Sequence, residues 1–137
     1  MKMVRGFGKA VAVIAIGGAL VGASSTAFAD AGEDVTSTLR AGGASDGAPW
    51  AYAYSLKSNG NKNVAVQDKF ENGAAVYSEF DRKNTKGLRL WNTKDIYNSK
   101  TYSDSSATNY VVKVTACEQV NNAPDTCGPD DRPGDGR

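Results

Sequence analysis

Glu79 and Asp81 are the two side chains whose type and spacing come nearest to a catalytic arrangement, and Tyr77 precedes them on the same strand face. Residues i and i+2 of a strand lie about 6.5 to 7 Å apart, which suits the paired carboxylates of a glycoside hydrolase. Carboxylates on the solvent face of an antiparallel strand are equally ordinary without catalysis. The chain has no histidine, the usual proton carrier near neutral pH, so we expect a non-catalytic protein without cofactor or metal.

Cys117 and Cys127 are the two cysteines of the chain. Their spacing is far from the C-x-x-C of redox and metal sites, and no third or fourth ligand accompanies them. In an oxidising compartment such a pair is expected to form a structural disulfide, which for so short a loop stabilises a fold by about 3 kcal/mol.

A basic segment with aromatic residues covers residues 82–100, where Asp95 is the one acid. Such a surface can bind an anionic cell-wall polymer, or single-stranded nucleic acid, through charge and stacking. Lysines that keep strand edges from pairing would give the same pattern. The residues predicted to form this surface are Arg82, Lys83, Lys86, Arg89, Trp91 and Lys94.

Residues 1–29 have the pattern of a secretory signal peptide, with a basic head, an apolar run over 10–22 and the cleavage motif Ala27-Phe28-Ala29. The apolar run is shorter than the roughly 20 residues that cross a membrane. We therefore expect a secreted protein with no membrane segment after cleavage. The mature chain of 137 − 29 = 108 residues suits one domain.

The charge of the mature chain is close to neutral. The signal peptide contains three of the 16 Lys+Arg and none of the 15 Asp+Glu, so the mature net charge is 13 − 15 = −2. A nucleic-acid partner is therefore not expected, because such proteins carry a strong basic field.

Both ends of the mature chain look extended. Residues 30–49 are predicted to be a flexible leader with one short strand, and residues 129–137 a disordered tail whose aspartates lack the spacing of a calcium loop. The leader strand either completes this protein's own sandwich or adds to a sheet of another protein. The residues predicted to bind a partner in the second case are Val35, Thr36, Ser37, Thr38 and Leu39.

Residues 50–128 alternate in the manner of short strands, without helical periodicity. Asn59-Gly60 and Asn72-Gly73 are predicted to be hairpin turns, and residues 93–107 a polar connection with a short edge strand. We predict an all-β fold, a small antiparallel β-sandwich of immunoglobulin-like or similar type with one disulfide. The residues predicted to face its core are Tyr52, Tyr54, Leu56, Val64, Val66, Phe70, Val76, Phe80, Leu88, Leu90, Tyr110, Val112 and Val114.

Several runs of the sequence resemble small secreted β proteins of actinobacteria. They are V-Y-x-E-F-x-R at residues 76–82, R-L-W-N at 89–92 and V-x-x-C-E-x-V-N-N-x-P-D-x-C at 114–127, together with the Gly/Ala-rich signal peptide. The resemblance covers nearly the whole mature chain and implies a fold with one disulfide and no active site. The plan of a charged, extended leader before a small sandwich is similar to the small adaptor subunit of secreted umbrella toxin particles, which implies a leader strand inserted into partner subunits.

The sequence thus favours a non-catalytic secreted interaction module. In one hypothesis it is an adaptor of an extracellular toxin assembly that donates its leader strand to other secreted proteins. In the other it binds cell-wall glycan or another polyanion through the basic aromatic surface. Small actinobacterial protease inhibitors are of similar length, but they hold their reactive loop with two disulfides, and this chain can form one.

Overall fold

A computed structural model describes residues 33–41 and 47–133, and the predicted signal peptide lies outside these residues. The described part contains eight strands and a short 3-10 helix at Lys57–Asn59. The strands are β1 (Val35–Arg40), β2 (Pro49–Ser55), β3 (Ala65–Asp68), β4 (Val76–Arg82), β5 (Thr85–Asn92), β6 (Lys100–Tyr102), β7 (Val111–Glu118) and β8 (Thr126–Cys127).

The strands form two antiparallel sheets of four. The first sheet has the order β1-β2-β3-β6 and the second β5-β4-β7-β8. The two sheets bury one hydrophobic core between them, and Cys117 is bonded to Cys127 across β7 and β8. The predicted all-β sandwich with one disulfide is therefore confirmed. Its strand order is not that of an immunoglobulin domain, because β2 and β3 are neighbours in one sheet.

The core consists mostly of small aliphatic side chains. Its members are Val35, Leu39, Ala51, Ala53, Val64, Val66, Val76, Phe80, Val111, Val114 and Ala116. Leu88 and Leu90, both predicted to face inward, pack against it while partly exposed. Alanines on β2 and β7 leave room for the two sheets to approach each other closely at this point.

The predicted inward face of β2 was wrong. Ala51, Ala53 and Ser55 are buried, whereas Tyr52 and Tyr54 lie half-buried on the outer side. Alternation shows that a segment is a strand but not which of its two faces points to the core. Here the tyrosine set and the alanine and serine set are both compatible with burial. Tyrosine on the outer side keeps its hydroxyl in water, and alanine on the inner side fits the narrow gap.

Other predicted core positions are also corrected. Leu56 and Phe70 are 40% and 44% exposed, because both lie beyond the ends of their strands. In β7 the register shifts where it pairs with the end of β4, so Val111 is buried and Val112 is only half-buried. Tyr110 precedes the strand and is half-buried as well.

The two Asn-Gly pairs have different roles. Asn59-Gly60 lies in the connection of the β2–β3 hairpin, where Gly60 has a φ of 73°. Asn72-Gly73 does not form the predicted hairpin, because β3 and β4 belong to different sheets and the segment crosses between them. The Asp95 carboxylate accepts hydrogen bonds from the backbone N–H groups of Asn72 and Gly73 and thereby stabilises the segment that crosses between the sheets.

The leader strand β1 is part of the sandwich, so the first sheet extends into residues 30–49, which were predicted to be a flexible leader with one short strand. It pairs antiparallel with β2 along its length, and Val35 and Leu39 are fully buried. Residues 129–137 were predicted to be a disordered tail, and those up to residue 133 have a defined place in the structure. The backbone groups of Asp131 exchange two hydrogen bonds with Val114 of β7, and Pro133 is buried.

Residues 128–131, which we call the C-terminal strap, lie between β7 and β1. Gly128 donates its N–H to the Ala116 carbonyl, and the Asp131 carboxylate accepts the N–H of Thr36 at 2.8 Å. The Ser37 hydroxyl donates to the Pro129 carbonyl and accepts the N–H of Ala116. The strap thereby joins the first sheet to the second along this side. Among the described residues no helix has the length and hydropathy to cross a membrane.

Candidate functional site

The outer side of the first sheet carries two cross-strand rows of outward side chains. One row is Thr36, Tyr54, Ala65 and Tyr102, and the other is Thr38, Tyr52, Gln67 and Lys100. Neighbouring strands lie about 4.8 Å apart, so the rings of Tyr54 and Tyr102 stand on either side of Ala65. Ala65 is only 3% exposed beneath them.

A loop extends this surface beyond the end of β3. Lys69 places its Nζ 4.8 Å from the centre of the Tyr97 ring and 5.9 Å from that of Tyr52. The same Nζ donates to Asn98 Oδ1, which also accepts a hydrogen bond from Gln67 Nε2. We call the surface formed by Tyr52, Tyr54, Tyr97, Tyr102, Lys69 and Lys100 the tyrosine face.

The tyrosine face offers its polar groups to solvent. Tyr97 and Tyr102 are 55% and 57% exposed. In the described part of the chain, none of its four tyrosine hydroxyls has an intramolecular hydrogen bond, and neither lysine has an ion pair. The strands of the first sheet contain one acid, Asp68, and its side chain is buried on the inner side. The face is therefore aromatic and hydrogen-bonding and carries two lysines, while the carboxylate of Glu71 adjoins its loop and accepts the N–H of Tyr97.

The outer side of the second sheet is different, because its charges are neutralised within the chain. Arg89 donates to Glu79 at 3.0 Å, and Lys113 lies 3.8 Å from Asp81. Asp81 also accepts the N–H of Gly87. The two carboxylates with catalytic spacing thus each have a partner.

Tyr77 is 2% exposed, although its strand face was predicted to meet solvent. The Trp91 ring packs on it with centroids 4.3 Å apart, and its hydroxyl donates to Asp125 at 2.8 Å. Burial and this hydrogen bond raise the pKa of Tyr77 to about 12, and the same bond lowers the pKa of Asp125. The side chains on the outer side of the second sheet therefore contact one another and satisfy one another's polar groups.

The predicted basic aromatic surface is not one surface. Arg82 is 3% exposed and donates to the carbonyl oxygens of Lys62, Asn109 and Asp104, so it ties loops together inside the fold. We therefore remove Arg82 from the predicted binding surface, since a buried guanidinium cannot reach a polymer.

The other predicted residues are spread over the molecule. Lys83 and Lys86 lie at the β4–β5 hairpin, and Lys94 follows the opposite end of β5. Arg89 and Trp91 lie between these ends, on the outer side of the second sheet. Lys94 comes near the tyrosine face, because its Nζ lies 3.4 Å from the Lys100 carbonyl oxygen.

The residues of the leader that were predicted to bind a partner are inside the fold. Val35, Ser37 and Leu39 face the core side and are at most 1% exposed, while Thr36 and Thr38 lie on the outer side. The sequence left open whether this strand pairs within its own domain or with another chain. In the structure it pairs within its own domain.

Among the residues that the structure describes, Asp68 is the one buried carboxylate with an unpartnered oxygen. Its Oδ1 accepts the Phe70 N–H, and its Oδ2 has no hydrogen bond. Burial, and then the charges of Asp95, Glu118 and Glu71, raise the pKa of Asp68. Across residues 33–41 and 47–133, no three acidic or cysteine side chains are grouped so that they could hold a metal ion.

Sequence reasoning missed the tyrosine face because Tyr52 and Tyr54 were assigned to the core. The alternation of tyrosine with alanine and serine in β2 does not by itself show which set faces solvent. Comparison with protein-family models, curated proteins and solved structures finds no match to this chain.

Proposed function

We propose that this protein is a non-catalytic, secreted binding module that holds a polysaccharide on the tyrosine face. The observation that carries the proposal is the row of solvent-facing tyrosine rings without internal hydrogen bonds. Sugar rings present apolar C–H faces that pack on aromatic rings, and their hydroxyls pair with side chains such as Gln67 and the tyrosine hydroxyls. The sheet fixes the backbone positions of Tyr52, Tyr54 and Tyr102, and Tyr97 lies on the adjoining loop, so little backbone entropy of the strands is lost on binding.

The shape of the surface fits a chain-like ligand. The rings lie on an open sheet surface and not in a closed pocket, and they continue from Tyr102 across Tyr54 and Tyr52 to Tyr97. An extended polymer can contact several rings at once, and each weak contact then adds to the others through effective concentration.

The test is retention of the mature protein on insoluble polysaccharides, with bacterial cell-wall sacculi, polygalacturonate and a neutral β-glucan as probes. We expect retention on at least one probe and its loss in Tyr97→Ala/Tyr102→Ala, two exposed rings whose removal leaves the core intact. Tyr110→Ala removes the same side chain outside the face and is expected to bind normally. Absence of retention on every probe, or equal loss in Tyr110→Ala, would contradict the proposal.

A second candidate is a protein-interaction module acting through β1, as an adaptor in an extracellular assembly. One observation favours it: β1 is an edge strand, and its free edge is covered through the side chains of Ser37 and Asp131 and not by a backbone ladder. Displacing the strap would open this edge to a strand of another protein.

Affinity purification of the tagged mature protein from the producer's medium separates the two candidates. A co-purifying protein that is also retained by Tyr97→Ala/Tyr102→Ala would support the β1 candidate. Recovery of the protein as a monomer without any companion would count against it.

A further inference from the structure

The tyrosine face contains a repeated unit of a tyrosine ring and a lysine ammonium. In one unit the Nζ of Lys100 lies 6.0 Å from the centre of the Tyr54 ring. In the other the Nζ of Lys69 lies 5.9 Å from the Tyr52 ring and 4.8 Å from the Tyr97 ring. Tyr52 and Tyr54 are two residues apart on β2, so the units repeat at about 7 Å.

Both ammonium groups are held in place by neutral partners. Lys69 is fixed by the aromatic rings and by the Asn98 amide oxygen, and Asn98 has a φ of 68°. Lys100 lies on the edge strand β6 and reaches over the Tyr54 ring. A cation over a ring is attracted by its negative face without losing its own charge. Each unit therefore presents a positive charge beside a stacking surface.

The charge of these lysines has no counterpart within the described residues. Every basic residue on the outer strand positions of the second sheet has a carboxylate partner, namely Arg89 with Glu79 and Lys113 with Asp81. The tyrosine face has none, although the chain as a whole carries almost as many acids as bases. Other lysines of the described residues, such as Lys83 and Lys86 at the β4–β5 hairpin, also have no ion pair, but Lys69 and Lys100 are the two that lie over the rings of the tyrosine face.

We infer that the polysaccharide bound by the tyrosine face is a polyanion, with a negative group recurring along the chain so that one faces each tyrosine–lysine unit. This inference rests on the proposed function. Ring stacking gives contact area to any sugar, while the two lysines select chains that carry carboxylate or phosphate groups. Lysine on an edge strand also discourages strand pairing, a role that needs no ligand and predicts no change in binding.

The experiment measures affinity of the mature protein for polygalacturonate, for a glycerol-phosphate wall polymer and for dextran, at low and high NaCl. Wild type is expected to bind one or both anionic chains, more weakly as salt rises, and to bind dextran at least tenfold more weakly. The carboxylate and phosphate arms identify which anion is preferred. Lys69→Gln/Lys100→Gln is expected to weaken anionic binding about fivefold to tenfold, since exposed pairs are individually modest.

Two further variants complete the test. Lys69→Arg/Lys100→Arg keeps the charge and is expected to retain most of the affinity. Lys83→Gln/Lys86→Gln removes the same charge at the β4–β5 hairpin and is expected to bind like wild type. Equal binding of dextran, with no effect of Lys69→Gln/Lys100→Gln, would overturn the polyanion inference while the proposed function stands. Absence of binding to all three polymers and to the neutral β-glucan and sacculi would overturn both.

Discussion

The buried carboxylate of Asp68 is expected to make the stability of the fold depend on pH. Because its pKa is raised, the folded state binds this proton more tightly than the unfolded state does. Deprotonated Asp68 therefore lowers stability above its folded pKa, and that cost disappears below the ordinary value of 3.8. Asp68→Asn keeps an acceptor for the N–H of Phe70 and removes the buried negative charge.

We expect Asp68→Asn to stabilise the fold by about 1 kcal/mol at pH 7, or about 5 °C in Tm. The difference from wild type should shrink as the pH is lowered towards 4. Thermal unfolding followed by circular dichroism across this pH range measures it. Asp130→Asn, at an exposed carboxylate, serves as control, and a loss of stability in Asp68→Asn at pH 7 would contradict the argument.

Tyr77 is expected to affect the stability of the fold at alkaline pH. Its folded pKa of about 12 lies above the ordinary 10.0, so its contribution to stability is complete below pH 10 and is lost as the pH rises towards 12. Tyr77→Phe keeps the ring against Trp91 and removes the titrating group. The ultraviolet titration of wild type minus that of Tyr77→Phe should show a single step near pH 12, and a step near 10 would place the phenol in solvent.

At the level of elements, the C-terminal strap depends on a close backbone approach at Gly128. A methyl group on its Cα would overlap the carbonyl group of Thr38 in β1, and backbone on both sides leaves little room to yield. We expect Gly128→Ala to destabilise the fold by about 2 kcal/mol, the usual size for overpacking. Urea unfolding measures it.

The same element-level test has a control in Ala123→Gly, which changes an exposed position of the loop closed by the disulfide. It should unfold within about 1 kcal/mol of wild type, as surface positions do. Amide exchange adds a local readout. Faster exchange at Thr36 in Gly128→Ala would confirm that the strap holds β1, and unchanged exchange there would contradict it.

Sequence patterns predicted the presence of strands better than the pairing of the strands or the face that each strand buries. Alternation and turn residues predicted short strands over residues 50–128 and the edge strand within residues 93–107, because these signals are local. The partner of a strand is set by contacts far along the chain, so the pattern at Asn72-Gly73 suited a hairpin as well as the observed crossing. Likewise, the alternation of tyrosine and alanine in β2 did not decide which set faces inward.

The candidate site was predictable only in its chemistry. Basic and aromatic residues together indicated a polyanion surface, and the structure contains such a combination on the first sheet. The residues differ, since Arg82 is buried and Arg89 is paired, whereas Lys69 and Tyr52 come from segments that the sequence assigned elsewhere. Which charges remain unpaired depends on cross-strand neighbours, and these are known only once the register is known.

At the level of the whole molecule, we expect β1 to be required for the sandwich to fold. It supplies the fully buried Val35 and Leu39, each worth about 1.5 to 3 kcal/mol, and without it the edge of β2 would be exposed. A chain that starts at Pro49 should therefore lack a cooperative thermal transition. A chain of residues 30–133 should unfold cooperatively like the full mature protein. Differential scanning calorimetry distinguishes them, and a cooperative transition in the shorter chain would make β1 dispensable.

The contact between the strap and β1 also makes folding depend on the order in which the chain is synthesised. β1 is among the first parts of the domain to be synthesised. The residues that cover its free edge, from Gly128 to Asp131, are among the last. The sandwich is therefore complete only after residues 128–131 have been synthesised, because they cover the free edge of its first strand. Fusions that hold back the C-terminus should consequently delay folding more than fusions to the N-terminus.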